Sequence, residues 1–115
     1  MAFTIKQHDT APSYVIDLAD NYGLQDEAPI DLTTATSITF LMREAGTAGA
    51  PKVSAAMTVV GAATAGRVQH DWSAGDTDTV GSFDVEFEIE WSDGTIETVP
   101  NDSYLTVTVV DDLTD

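Results

Sequence analysis

Hydrophobic and polar residues alternate with a period of two through most of this chain, and the clearest run is Ser82 to Trp91. Phe83, Val85, Phe87, Ile89 and Trp91 take one side, while Asp84, Glu86, Glu88 and Glu90 take the other. An extended strand separates them in this way, whereas a helix would spread the acids around its axis. The Asp93-Gly94 dipeptide that follows predicts a two-residue type I′ hairpin turn. Folding about it sets Trp91 against Ile96 on the inner face and Glu90 against Glu97 on the outer one. Like charges directly across a strand pair are unfavourable, so that outer face should be wet or met by cations.

The same alternation predicts further strands. Tyr14, Ile16 and Leu18 form one inward set; Ile38, Phe40 and Met42 form another; Val68, His70 and Trp72 form a third. Tyr104 to Val110 is a final strand rich in β-branched residues, set off by the break at Pro100-Asn101-Asp102. Fainter strands are expected at Phe3 to Gln7 and Val53 to Val60. Asp17 to Gln25 comes nearest to a helical pattern, but Asn21-Tyr22-Gly23 reads better as a turn. The segments Ala45 to Pro51 and Gly61 to Gly66, rich in glycine and alanine, read as loops. About eight short strands, within a range of 7–9, with frequent turns predict an all-β, antiparallel immunoglobulin-like β-sandwich, with a closed barrel as the alternative. The predicted core is the inward sets above together with Phe83, Val85, Phe87, Ile89, Trp91, Leu105, Val107 and Val109, His70 being taken as a partly buried histidine on the same face.

Composition narrows the function. At 115 residues and 43% apolar content the chain suits one compact domain spanning 1–115. It carries no run of about 18 apolar residues, and Met1 to Lys6 lacks the apolar stretch of a signal peptide. A protein made and assembled in the cytoplasm is therefore expected. No cysteine is present, which removes disulfides, thiolate metal sites and a cysteine nucleophile. Twenty acidic residues stand against four basic ones, Lys6, Arg43, Lys52 and Arg67, for a net charge of −16. So negative a surface repels phosphate backbones and anionic membranes, so neither nucleic acid nor membrane is an expected partner. A salty environment or a partner with a basic face would each account for the imbalance.

Candidate chemistry is sparse. Asp76 and Asp78 stand two residues apart in a loop like the opening of a calcium site, and are the candidate cation ligands. Extending the EF-hand template from Asp76 places Gly81 correctly but puts Val80 and Phe87 where oxygen ligands belong. A polar turn with local side-chain bonds is the simpler reading. His70-Asp71 has the composition of a base with an orienting acid, but no nucleophile motif accompanies it. The carboxylates Asp84, Glu86, Glu88 and Glu90 recur every ~7 Å along their strand. A glycosidase pair needs such a separation within a cleft, which a flat strand face does not offer. Together with Glu97 these acids are instead the candidate partner-docking residues. Trp72, Trp91 and Phe87 fall on core-facing positions, leaving Tyr22 and Tyr104 as the freer aromatics for a sugar-binding surface.

A series of short motifs runs through the chain in order. Phe3, Ile5, Asp9, Thr10 and Pro12 open it, followed by Pro29-Ile30-Asp31-Leu32-Thr33 and Ile38-Thr39-Phe40-Leu41-Met42-Arg43. Gly66-Arg67-Val68, Asp71-Trp72, Asp76-Thr77, Gly81-x-Phe83-x-x-Glu86-Phe87, Asp93-Gly94 and Thr98-x-Pro100 complete it. The series resembles the immunoglobulin-like N-terminal domain of phage baseplate upper proteins and related small virion proteins of tailed viruses. In that family the domain fixes a longer receptor-binding or fibre part to the virion, and the resemblance implies no catalytic residues. Here the sequence ends at Asp115 without a fibre segment, which turns the expectation toward a multi-copy capsid decoration or cement protein. A tail, neck or baseplate adaptor is the first alternative, and a stand-alone carbohydrate- or calcium-binding module the second. The expected partners are other virion proteins, with a homo-oligomer among the possible forms. No cofactor is expected beyond a calcium ion at Asp76 and Asp78.

Overall fold

The computed structural model describes residues 2–19, 29–100 and 104–113. These form the strands β1 (Ala2–Lys6), β2 (Tyr14–Asp17), β3 (Ala35–Glu44), β4 (Val53–Ala56), β5 (Thr58–Val59), β6 (Arg67–His70), β7 (Gly81–Trp91), β8 (Ile96–Val99) and β9 (Leu105–Val110). Two short 3-10 turns, Ala63–Ala65 and Ala74–Thr77, are the helical pieces among the described residues. The turn expected around Asn21 to Gly23 lies outside the described residues.

The long alternating segment becomes β7, the spine of the larger sheet. Along one edge it pairs with β3; along the other, Gly81 to Val85 pairs with β9 and Phe87 to Glu90 pairs with β8. The full order is β1-β9-β7-β3-β4. A second sheet, β2-β6-β5, packs against its inner face. Two separate sheets therefore replace the alternative of a single closed barrel. Among the described residues all strand pairings are antiparallel except β1 with β9, where Ile5 lies beside Val109 in a parallel register, so the larger sheet is mixed and not wholly antiparallel.

The core lies between the sheets, where aromatic rings bridge the gap. Tyr14 from β2 meets Phe40 of β3 at 5.4 Å and Phe87 of β7 at 6.1 Å between centroids. Phe40 and Phe87 are wholly buried, as are Met42, Val85, Val107 and Ile89. Each large apolar side chain so removed from water contributes about 1.5–3 kcal/mol. Ile5, Ile30, Leu32, Val53 and Val99 join the core from segments whose alternation is too short to single them out.

Two local expectations are corrected. The stretch from Val53 to Val60 is not one strand but two. β4 pairs with β3 in the large sheet, and β5 pairs with β6 in the small one, so the chain changes sheets near Met57. The β7–β8 turn is a three-residue loop, Ser92-Asp93-Gly94. Trp91 N–H donates to Thr95 O, Gly94 N–H donates to Trp91 O, and Gly94 takes φ 88°. That combination is a type I turn closed by a left-handed glycine. Ile89 therefore faces Glu97 and Glu90 faces Ile96, one residue away from the expected register. Trp91 is only half-buried, and its indole N–H donates to Glu97 Oε1 at 3.2 Å.

Candidate docking face

The outer face of the large sheet points away from the second sheet and collects the acidic residues of β7. Asp84 stands between Arg43 of β3 and Thr106 of β9. Glu86 is opposite Leu41, and Glu88 lies between Thr39 and Thr98. Asp84 and Glu88, with strands on both sides, and Glu86, which sits where the β9 pairing ends and the β8 pairing begins, are half-buried, while Glu90 at the end of the row is exposed. Among the described residues, Asp84, Glu86 and Glu88 make no hydrogen bond or ion pair. Glu90 meets Thr36 Oγ1 at 3.4 Å. Glu97 does not belong to this row: the one-residue register change puts it beside Ile89 at the inner rim, where it caps Trp91.

At one end of the face lies a pocket of about 150 Å³. Leu41, Gly49, Pro51 and Tyr104 supply much of its wall, and Asp84, Glu86 and Arg43 its charge. Tyr104 is 50% exposed there. Arg43 Nε is buried without a hydrogen-bond partner. The other basic side chains have acceptors: Lys6 donates to Asp111 O, Lys52 pairs with Asp78 at 2.6 Å, and Arg67 pairs with Asp17 at 2.7 Å. Alternation alone places Arg43 and Asp84 outward. What it lacks is the β3–β7 register that makes them neighbours, and the loop that brings Pro51 over them.

The remaining candidates disperse. Asp76 Oδ2 accepts from Ser73 N–H at 3.0 Å and lies 3.1 Å from His70 Nε2. Asp78 accepts from Lys52 and Thr79, and the Lys52 ammonium, followed by the Thr79 hydroxyl, holds its carboxyl below the usual range. The two carboxylates thus serve separate protein donors, and no group of three or more potential metal ligands occurs among the described residues. Asp71 does not orient His70. It accepts from Ser13 and Gln69, each at 2.7 Å, and these bonds hold its carboxyl low, with Gln69 the larger influence. His70 instead faces Asp76 from inside the core, a pairing hidden from sequence because it depends on the 3-10 turn at Ala74–Thr77. Trp72 and Phe87 are core residues, and Tyr22 lies outside the described residues.

Fold and face together define an all-β protein of two packed sheets with one acidic sheet face turned outward. Comparison with models of protein families finds no match, and comparison with curated proteins finds none either.

Proposed function

We propose that this chain is a non-enzymatic structural subunit of a tailed-virus virion, an immunoglobulin-like module that decorates or cements the capsid by docking on a neighbouring virion protein. The observation that carries this reading is the row Asp84, Glu86 and Glu88. Three half-buried carboxylates without hydrogen-bond or ion-pair partners among the described residues repel one another, which costs the isolated fold stability. A partner with a basic face would turn that cost into affinity and orientation. The ordered motif series from Phe3 to Pro100 supports the virion setting.

The test is to purify intact particles from cells producing this chain, quantify it by mass spectrometry and label it with a specific antibody for electron microscopy. Many copies on the capsid surface are expected. Label confined to the tail would move the chain to an adaptor role, and its absence from purified particles would remove the virion reading.

A further inference from the structure

We infer that the pocket beside Leu41, Pro51 and Tyr104 seats a single lysine side chain of the protein on which this chain docks; the inference rests on the docking role proposed above. The pocket's volume, about 150 Å³, is well below the ~300–1,000 Å³ of small-molecule sites. It has room for one long side chain.

The wall is divided in chemistry. Leu41, Pro51 and the Tyr104 ring offer apolar surface, while Asp84 and Glu86 offer carboxylates. A lysine has the matching division, with a four-carbon stem that lies on apolar surface and a charged head that seeks acceptors. Asp84 and Glu86 are alternate residues on the same side of β7, so their backbone positions are ~7 Å apart. A compact ammonium with three donors fits between two such carboxylates, whereas a flat guanidinium matches a single carboxylate edge-on. Neither acid has a competing partner among the described residues. Arg43 stands opposite Asp84 and offsets part of the charge, so the pocket suits one added cation and not a cationic run.

Stem length is the discriminating variable. The whole chain is titrated by NMR at about pH 5, where both kinds of amine are protonated, with two peptides of equal charge, one carrying three lysines spaced by glycines, the other carrying three diaminopropionic acids with one-carbon stems. The lysine peptide should bind on the order of tenfold more tightly, because only its methylenes reach the apolar wall. Its shifts should centre on Leu41, Gly49 and Tyr104, and Glu86→Gln should abolish the difference between the peptides. Equal affinities, or shifts spread over the acidic surface without the pocket, would overturn the assignment while leaving particle association untouched. Stem-dependent binding by a chain absent from particles would instead remove the virion reading and keep the lysine seat.

Discussion

The imidazole of His70 lies flat on the ring of Phe40, with centroids 4.2 Å apart and planes 2° from parallel. Trp72 meets the same imidazole edge-on at 4.8 Å, and Asp76 Oδ2 lies 3.1 Å from its Nε2. One buried side chain thus joins the aromatic core to the 3-10 turn that precedes β7. His70→Ala should open a cavity against Phe40 and strip Asp76 of this partner, for a loss of about 2–4 kcal/mol. Urea denaturation gives the stability and near-ultraviolet circular dichroism the packing. A loss below about 1 kcal/mol would mean that the stack is incidental.

Gly66 is the tightest glycine among the described residues. It adopts φ 71°, and a Cβ there would lie 2.8 Å from Leu18 O and 2.9 Å from Ile30 O. The same backbone stretch receives Leu18 N–H at Gly66 O. Gly66→Ala should therefore cost about 2–4 kcal/mol through strain and lost pairing. Gly46 has a similar φ, 77°, but nothing within 4 Å. Gly46→Ala should cost only about 1 kcal/mol. Equal melting temperatures for the two variants would refute the steric argument.

Replacing an acid on the outer face of β7 should stabilise the isolated chain and, on the proposed docking role, weaken its attachment. Glu86→Gln and Glu88→Gln each remove a like-charge neighbour and should raise stability by about 0.2–1 kcal/mol. The same variants should occupy particles less fully. A variant that is both less stable and equally well attached would contradict the docking assignment.

Acid should act in the opposite direction on a separate set of groups. Hydrogen bonds from Arg67 hold the Asp17 carboxyl below its ordinary range, and bonds from Gln69 and Ser13 do the same for Asp71. In the folded state these acids release protons more readily than in the unfolded chain, whose aspartates titrate near ~3.9. Their stabilisation is complete above that value and disappears as pH falls through the lowered folded values. Asp17→Asn should therefore flatten the fall in denaturation midpoint below about pH 4 and leave the slope between pH 5 and 7 unchanged.

Salt gives an independent check on the net charge of −16. Raising sodium chloride from about 0.01 to 1 M shortens the screening length from about 30 to 3 Å. The melting temperature should rise over that range, since self-repulsion exceeds the attraction of the few surface ion pairs. A steady fall would show that pairs such as Lys52–Asp78 dominate.

The fold's framework was legible where neighbouring residues carry the signal. Alternation from Phe83 to Ile89 places every inward residue of that run in the core, and Tyr14, Ile16, Phe40 and Val107 follow in the same way. Register was less legible, because it depends on contacts remote in sequence. The Asp93 side chain accepts from both Thr95 N–H and Thr95 Oγ1, which fits a loop one residue longer than Asp-Gly alone implies. With a side-chain period of two, that one residue exposes Ile96 and turns Glu97 to the inner rim. The acidic row of Asp84, Glu86, Glu88 and Glu90 was readable from β7 alone. The pocket was not, since it needs β3, the segment around Gly49 and Pro51, and Tyr104 brought to the same place.

The parallel alignment of β1 with β9 has a mechanical consequence. Ala2 begins one strand beside Thr106, and Val110 ends the other beside Lys6, so these two points lie at opposite ends of the ladder. Tension applied between them runs along the strands and strains the cross-links together in shear. A hairpin pulled from its open end yields one link at a time; this pair must slip as a unit, a geometry suited to a part that bears load.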